Sequence, residues 1–430
     1  MESVHASWLG THWGEIAQGG PRELSRKLKV AFRRLQLVNI LSGVWAIPAV
    51  LIMRAFRPLL MIRLGGLTNT TRIGHFGSDG AEQVVRLHMQ PANTVDWYWL
   101  ASTCNSQWEA MLRRELTVRT WVSTLDWWNR RIPGGQAHCR LGPPANSRDT
   151  EGLFANCDAG LPFLPEESLR ATSWLGQHGW TEGEPFVCFM VRDSTYLSND
   201  PLQGGGRDRA KESWAYHDYR DSEIETYFPA MKWLADQGVW VLRMGKLMGA
   251  PLPHVHERVI DYAFDPGKSD LLDIWLFANC TGCVSTGTGP DSIAQVYDRP
   301  TLFVNVLPLS DIHTFGRTTW VGKHLRWANS HKRLTLAEEL KESHLSSTRY
   351  EEAGVEIMDL SPREITLAVQ QFWGKENGQW HSTDSDERRQ GKFWNLYRAW
   401  PDFDKYHGWM HPEVRIGSAW LASLGDDYLT

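Results

Sequence analysis

Residues 280–305 read CTGCVSTGTGPDSIAQVYDRPTLFVN, and this stretch says most about the fold class. A short apolar strand is predicted to end at Val284, and a second apolar strand is predicted to begin at Thr301. Between them lies a loop of small residues, followed by a helix that is predicted to open at Asp291. A strand, a loop, a helix and a strand in this order predict an α/β protein with a parallel sheet.

The loop between the strand and the helix is predicted to bind an anion. Gly287 and Gly289 let the backbone approach a ligand closely, and the N–H groups at a helix start favour negative charge. A phosphate or diphosphate is therefore the expected ligand. The alternative is an ordinary helix cap made by Asp291 or Ser292, since a short glycine motif is weak evidence by itself.

Size and composition indicate a folded protein with two domains. A chain of 430 residues exceeds the usual ceiling for a single hydrophobic core. Its formal net charge of −5 argues against a general nucleic-acid binder. The six cysteines form no dense framework and no secretory signal peptide is apparent, so we expect a reducing, cytoplasmic compartment. Cys280 and Cys283 form a lone C-x-x-C, which is expected to fill the core.

An apolar stretch, LQLVNILSGVWAIPAVLIM, occupies residues 35–53 and follows a basic segment. It is short for a spanning helix and has polar interruptions, so an amphipathic or apolar helix at the inner-membrane surface is the favoured interpretation. Two alternatives remain, which are a helix buried against the first domain and a single membrane span. The basic residues that precede this stretch, and that would bind anionic lipid, are Arg22, Arg26, Lys27, Lys29, Arg33 and Arg34.

Strands and helices alternate most clearly after residue 185. Strands are predicted at 186–191 and 239–243, with a short third strand beginning at Val259, and helices are predicted at 222–237 and 270–278. Short connections between alternating elements predict a parallel sheet covered on both faces. Ligands of such sheets bind at the carboxyl ends of the strands.

Charged residues follow two of these strands. Arg192 and Asp193 come after the first strand, and Arg243 and Gly245 come after the second. Two guanidinium groups beside the glycine loop would neutralise a diphosphate. The alternatives are a salt bridge from Arg192 to Asp193 or Asp221, a helix-capping role for Arg243, and a cap formed by Ser269 for the next helix. The residues predicted to bind the phosphate-bearing ligand are Arg192, Asp193, Arg243, Gly245, Ser269, Asp270, Ser285, Thr286, Gly287, Thr288, Gly289 and Asp291.

The first domain is predicted to open with a strand that ends near Leu64, followed by a loop through Gly65, Gly66 and Gly74. His75 follows this loop and could take a proton from an attacking hydroxyl, although a structural or binding role is the alternative. Asp79 is the second candidate base. The predicted catalytic residues are His75, Asp79 and Arg192.

Several motifs together resemble a family of bacterial glycosyltransferases found with surface polysaccharide or lipopolysaccharide genes. They are IRLGGLTNTTRIGHF (62–76), CNSQWEAMLRR (104–114), VRDSTYL (191–197), YRDSEIETYFPAMKWLADQGVWVLRMG (219–245), VIDYAF (259–264), SDLLDIWLFANC (269–280), STGTGPDSIAQVYDRPTLFVN (285–305) and RIGSAWL (415–421). The chain is also distantly similar to the lipopolysaccharide heptosyltransferases of the GT-B fold. It departs from them at Asn69 and Thr70, where those enzymes carry an acidic residue, so the resemblance leaves the catalytic base open.

The resemblance implies two Rossmann-like domains that face a cleft, preceded by the N-terminal helix. We expect a basic, membrane-proximal helical segment (1–58), an acceptor-side Rossmann-like domain (59–175), a nucleotide-sugar-binding Rossmann-like domain (176–372) and a tryptophan-rich tail that packs back on the first domain (373–430).

The predicted function is transfer of a sugar from a nucleotide-sugar donor to a surface glycan or lipid-linked acceptor. The enzyme is expected to need no cofactor or metal, because the literal D-x-D matches at Asp384 and Asp402 fall in the divergent tail. It is expected to lie in the cytoplasm at the inner membrane and to bind no nucleic acid. The alternative is an inactive carbohydrate- or nucleotide-binding scaffold. An epimerase or dehydrogenase is disfavoured, because the first loop lacks G-x-G-x-x-G.

Overall fold

The computed structural model describes residues 41–140, 148–193, 195 and 219–430. The chain separates into two units, described here one at a time. The first comprises Met1–Gly66, Pro91–Trp99 and Val118–Arg140, and the second comprises Leu67–Gln90, Leu100–Thr117 and Leu141–Thr430. The four predicted segments, with boundaries after residues 58, 175 and 372, stay a prediction, and residues 1–40 of the first of them lie outside the described residues.

Helices and strands alternate along most of the described chain. The helices are α1 (Gly43–Ala55), α2 (Ile73–His88), α3 (Ser106–Glu115), α4 (Val122–Asn129), α5 (Leu153–Asn156), α6 (Pro165–Gln177), α7 (Phe228–Asp236), α8 (Asp270–Asn279), α9 (Asp291–Val296), α10 (Leu336–Lys341), α11 (Ser347–Glu352), α12 (Pro362–Glu376), α13 (Asp384–Arg398), α14 (Phe403–Tyr406) and α15 (Ser418–Ser423). The strands are β1 (Met61–Leu67), β2 (Thr94–Leu100), β3 (Phe186–Met190), β4 (Trp240–Arg243), β5 (Val259–Ile260), β6 (Gly282–Ser285), β7 (Thr301–Val306), β8 (Thr318–Gly322), β9 (His324–Trp327), β10 (Val355–Met358) and β11 (Arg415–Ile416).

A seven-stranded sheet forms the centre of the second unit, with the order β11-β8-β7-β6-β3-β4-β5. All its strand pairs are parallel, which confirms the predicted parallel α/β architecture. Counted along the chain from β3 to β8, these six strands lie in the order 3-2-1-4-5-6, which is that of doubly wound nucleotide-binding sheets. The order reverses between β3 and β6, where Met190 lies opposite Ser285. The carboxyl ends of these two strands are therefore adjacent.

The strands of this sheet are apolar because both faces are covered. Every residue of β3, FVCFM, is buried, and so is every residue of β6 and β7. Cys188 of β3 lies opposite Cys283 of β6, and both thiols are free. Burial raises the pKa of each of these thiols, so both remain protonated and act as small apolar side chains.

Two predicted boundaries are wrong. The first strand continues past Leu64 to Leu67, because Gly65 and Gly66 pack against aromatic rings of β2: a Cβ on Gly66 would lie 2.4 Å from the ring of Trp99. The helix predicted at 222–237 begins as a 3-10 turn, Ile224–Tyr227, and becomes α-helical only from Phe228. Pro229 has no N–H and cannot make the hydrogen bond to the preceding turn.

The C-terminal residues pack on the large sheet. β11 is parallel to β8 at one edge, and Phe393, Trp394 and Tyr397 of α13 lie in the same apolar cluster as the sheet. The Tyr397 hydroxyl donates to the carbonyl of Leu309 (2.9 Å). Several of the tryptophans thus fill the core.

Helix α1 in the first unit is apolar on all sides. Ala46, Val50 and Met53 are buried in a cluster with residues of β1 and α4. On the other side, the exposed fractions are 84% for Val44 and 58% for Ile52. The predicted segment 35–53 is thus helical from Gly43, and residues 35–40 of it lie outside the described residues. Among the described residues, none of the helices has the length and apolar character that crossing a bilayer requires.

Candidate functional site

A cavity of about 400 Å³ opens at the point where the strand order of the large sheet reverses. Every residue that lines it belongs to the second unit. The lining comes from the loops after β3, β4 and β6, from the first turn of α2 and from one side of α8. The loop Thr286 to Pro290, which we call the glycine loop, forms one wall.

The glycine loop is held by its own side chains. Ser285 Oγ donates to Asp291 Oδ2 (2.7 Å) and accepts from the N–H of Gly287 (3.1 Å). The N–H of Thr288 also donates to Asp291 Oδ2 (2.7 Å). Burial raises the pKa of Asp291 to about 6. Gly287 has a φ of 73°, a conformation that favours glycine. Asp291 thus holds the loop, but it is not the helix cap that the sequence offered as the alternative, since the N-cap of α9 is Pro290 and no side chain caps that helix. The contact of Asp291 with phosphate stays a prediction.

Other groups of the loop point to an anion more directly. The hydroxyls of Thr288 and Ser292 are buried and have no hydrogen-bond partner within the described chain, and both residues line the cavity. The amide of Gly289 also donates to no group in the described part of the chain. Buried polar groups of native proteins are nearly always satisfied, so the two buried hydroxyls indicate a ligand that accepts hydrogen bonds, and the exposed amide of Gly289 is open to the same ligand.

The glycine loop lies directly on the first turn of α2. A Cβ on Gly74 would lie 2.9 Å from the Cα of Gly289, so only glycine permits this approach. The first turn of an α-helix has N–H groups without partners in the helix, and α2 has no side-chain cap. A 16-residue helix therefore directs its positive end toward the same wall.

Two arginines flank the loop. The backbone N–H of Arg192 donates to Thr286 Oγ1 (3.0 Å), and its Nε donates to Asp221 Oδ1 (3.0 Å). Its two terminal nitrogens donate to no group in the described chain. Arg220 donates through Nη2 to the carbonyl of Gly287. Burial, followed by the charge of Arg220, lowers the pKa of Arg192. The Arg192–Asp221 pair is one of the two salt bridges that the sequence offered as an alternative.

Some predicted residues lie away from the cavity. Arg243 is 2% exposed, and its guanidinium donates to Asp261 Oδ1 (3.0 Å) and to the carbonyl of Ala250 (3.2 Å). Ser269 caps α8 by accepting from the N–H of Leu272 (3.3 Å). Asp270 Oδ2 accepts from the N–H and the hydroxyl of Ser106 (2.7 and 2.6 Å). None of these residues is among those that line the cavity, so their donor-binding roles stay predictions without geometric support.

Asp193 and Gly245 do line the cavity. Asp193 Oδ1 accepts from the N–H of Thr195, and Asp193 Oδ2 accepts from the N–H of Gly249 (2.9 Å each). This carboxylate therefore ties the loop after β3 to the loop after β4.

The two candidate bases differ in position. His75 lines the cavity from the first turn of α2, whereas Asp79 is buried one turn further on and is not among the lining residues. Burial, and then the charge of Arg72, lowers the pKa of His75 below 6.5. The imidazole is therefore neutral at physiological pH, which a general base requires.

Sequence reasoning did not select several charged or titratable residues of the lining. Arg148 forms an ion pair with Asp311 and donates to the carbonyl of Ile312 (3.2 Å). Burial and the charge of Arg148 lower the pKa of His313 to about 3, so this imidazole is neutral. Arg220 lies in the motif YRDSEIET, which could have identified it as a site residue. Arg148 comes from a loop in which no sequence pattern indicates a site. Asp273 of α8 is a further one.

The lining has an excess of positive charge. Its cations are Arg72, Arg148, Arg192, Arg220 and Lys246, and its carboxylates are Asp193, Asp273, Asp291 and Asp311. Five cations thus face four carboxylates, and the acids already accept hydrogen bonds from the protein. Within the described residues, no group of three or more His, Cys, Asp or Glu side chains could hold a metal ion.

Neither a protein-family model nor a curated protein matches this chain. Among solved structures, a glycosyl transferase family 9 protein from Veillonella parvula is 9% identical, with a TM-score of 0.38 over 61% of this chain and 86% of that one. The Escherichia coli ADP-heptose lipopolysaccharide heptosyltransferase II is 13% identical, with a TM-score of 0.32 over 56% and 84% of the two chains. The E. coli heptosyltransferase WaaC with ADP is 13% identical, with a TM-score of 0.30 over 61% and 91%. Values this low support no argument about function.

Proposed function

We propose that this protein is a glycosyltransferase that binds a nucleotide-sugar donor in the cavity of the second unit. The observation that supports this most is a cluster of donors, at the carboxyl ends of β3 and β6, that have no partner among the described residues. It consists of the terminal nitrogens of Arg192, the hydroxyls of Thr288 and Ser292, and the amide of Gly289.

A diphosphate satisfies this cluster better than a neutral ligand does. Arg192 and Arg220 interact unfavourably with each other in a partly buried cavity, and an anion between them removes that repulsion. Guanidinium groups pair with phosphate oxygens through two parallel hydrogen bonds, and the N-terminus of α2 adds a favourable dipole. We therefore assign the donor diphosphate to the space between the glycine loop, α2 and the two arginines.

The rest of the cavity suits a nucleoside. The walls beyond the glycine loop are apolar, with Met190, Met244, Leu247, Met248 and Phe277. Methionine side chains adapt to flat ligands, and an aromatic ring stacks on them. A cavity of about 400 Å³ with a cationic end and an apolar end fits an activated sugar attached to a nucleotide.

The proposed mechanism uses the charges of the chain itself. As the bond from the sugar to the phosphate breaks, negative charge grows on the leaving diphosphate. Arg192 and Arg220 are placed to stabilise this charge, a role in which fixed cations act without reorganisation. His75 would take the proton from the hydroxyl of a glycan or lipid-linked acceptor. We propose that the reaction needs neither a metal nor a cofactor.

Ligand-induced stabilisation tests the donor assignment. A ligand at 100 times its dissociation constant stabilises a protein by about 2.7 kcal/mol. We expect nucleoside diphosphates to raise the melting temperature, and nucleosides without phosphate to raise it much less. Release of the nucleotide from a panel of nucleotide sugars would then identify the donor. Equal effects of nucleosides and their diphosphates would contradict the phosphate site.

The proposed base has a pH signature. Since the pKa of His75 is lowered below 6.5, the base form persists down to that pKa, and kcat/KM should fall only as the pH drops through it. His75→Gln should lower kcat by about 10²-fold or more and remove this acid limb. Asp79→Asn is the comparison. Because Asp79 is not among the lining residues, this variant should keep its rate within a few-fold of the wild-type rate. The reverse ranking would assign the base to Asp79.

We also propose that the protein lies on the cytoplasmic surface of the inner membrane. The exposed side of α1 presents Val44, Leu51 and Ile52, whose exposed fractions are 84%, 52% and 58%, with Arg57 exposed just beyond the helix. Apolar side chains beside basic residues favour anionic membrane surfaces.

Vesicle sedimentation tests this proposal. The wild-type protein should sediment with phosphatidylglycerol vesicles more than with phosphatidylcholine vesicles, and Leu51→Glu with Ile52→Glu should abolish this binding. Leu169→Glu is the matched control, because Leu169 is 66% exposed in the second unit. Equal sedimentation of the control and the double variant would contradict the assignment to α1.

A further inference from the structure

Asp273 is a carboxylate that the proposed mechanism does not use. It lies in the first turns of α8 and lines the cavity. One oxygen, Oδ1, accepts from the hydroxyl of Tyr262 (2.7 Å), a side chain that is fully buried. The other oxygen accepts no hydrogen bond within the described chain. Tyr262 therefore fixes the direction of the carboxylate and leaves one acceptor for a ligand.

Apolar side chains line the cavity near Asp273, together with Lys246, whose charge acts on the carboxylate. Phe277 lies one helical turn further along α8, on the same side of the helix, and also lines the cavity. Met248 packs against Gly245, where a Cβ would lie 2.5 Å from Met248 Cγ. Met244 continues this wall. Thioether and aromatic side chains of this kind suit contact with a planar ring.

We propose that Asp273 selects the base of the donor nucleotide, accepting a hydrogen bond from an exocyclic amino group such as that of adenine or cytosine. This inference rests on the proposed function, and it narrows the donor to nucleotides whose base carries an amino group, which disfavours uridine. Uracil presents carbonyl oxygens on both sides of its only N–H group, and a carboxylate repels them. Guanine also carries an exocyclic amino group, and the second oxygen of Asp273 can accept a hydrogen bond from it.

The charge state of Asp273 sets the conditions of the test. Burial, followed by the nearby charge of Asp270, raises the pKa of Asp273 to about 6 despite the hydrogen bond from Tyr262. The carboxylate is therefore ionised at pH 8, where binding should be measured.

Isothermal titration of ADP, CDP, UDP and inorganic pyrophosphate with the wild-type protein and D273N tests the proposal. A hydrogen bond to a charged group contributes about 1.5–3 kcal/mol, so the wild-type protein should bind ADP or CDP at least about tenfold more tightly than UDP. D273N should lose that preference, because the amide can donate to a uracil carbonyl as well as accept from an amino group. Pyrophosphate should bind both proteins equally.

The outcomes separate the two proposals. If no diphosphate binds, the proposed function fails. If ADP, CDP and UDP bind the wild-type protein equally, or if D273N keeps the preference, base selection by Asp273 fails while the donor site stands. If 2′-deoxy-ADP binds as weakly as ADP binds to D273N, the carboxylate contacts the ribose and the base assignment is overturned. An unchanged melting temperature of D273N shows that the variant is folded.

Discussion

Arg192→Ala is expected to lower the rate of sugar transfer by about 10²–10³-fold, the usual cost of removing one fixed donor at a developing anion. The terminal nitrogens of Arg192 reach no group of the described chain, so the substitution removes donors that only a ligand uses. The loss should appear mainly in kcat, because charge on the diphosphate grows as the bond breaks. Rates with a saturating donor give the measurement.

The comparison variants separate this effect from a general loss of stability. Arg192 also pairs with Asp221, so Asp221→Asn removes the same ion pair while it keeps the guanidinium. Its rate should stay within about tenfold of the wild-type rate, since a partly exposed pair contributes about 1 kcal/mol. Arg258→Ala breaks a similar pair with Glu184 outside the cavity and should not slow transfer. Equal losses in Arg192→Ala and Asp221→Asn would contradict a direct role for Arg192.

Gly74→Val should abolish binding of nucleoside diphosphates, with an expected loss of affinity of at least about 100-fold. The first added carbon would lie 2.9 Å from the backbone of Gly289, which cannot rotate away as a side chain can. The glycine loop must therefore move from the N-terminus of α2, and the donors of the two elements no longer converge on one phosphate. Titration with the diphosphate that stabilises the wild-type protein most gives the measurement.

Alanine at the same position makes the test more specific. Alanine is a better helix former than glycine by about 1 kcal/mol, so Gly74→Ala should not weaken α2 itself. Its affinity should still fall about tenfold or more, because the Cβ contact is already present. Gly176→Ala, in α6, is the matched control, since a Cβ there meets no atom within 4 Å. Normal diphosphate binding by Gly74→Val would show that the close approach of loop and helix has no part in the site.

Local chemistry made several features predictable. The helix that begins at Asp270 was predicted, with a Ser269 cap as the alternative to ligand binding, and Ser269 accepts from the N–H of Leu272. The helix predicted at 222–237 stops before Gly238, whose φ of 84° is typical of a glycine that ends a helix. In both cases the signal lies within three or four residues of its effect. The first strand was misjudged at Gly65, because the rings that require glycine there come from another strand.

The site depended on contacts that no local pattern reveals. Arg192 follows β3 and Arg243 ends the neighbouring β4, so the two look equivalent in sequence. The backbone of Arg192 is bound to Thr286 just after β6, whereas Arg243 is turned toward Asp261 and is buried. Arg148 approaches the cavity from a loop far away in sequence. Packing between distant segments positions side chains of this kind. No periodicity or motif spacing in a single sequence reveals that packing.

The sequence by itself determined the alternation of strands and helices, the parallel sheet, and the glycine loop before Asp291. Each follows from hydrophobic periodicity and turn chemistry over a few residues. Only the tertiary structure decided that β3 lies beside β6, which brings Arg192 to that loop. It also decided that Gly74 of α2 contacts Gly289. Strand order and helix docking follow from burial of apolar surface between segments far apart in the chain, and this is settled only when the whole core packs.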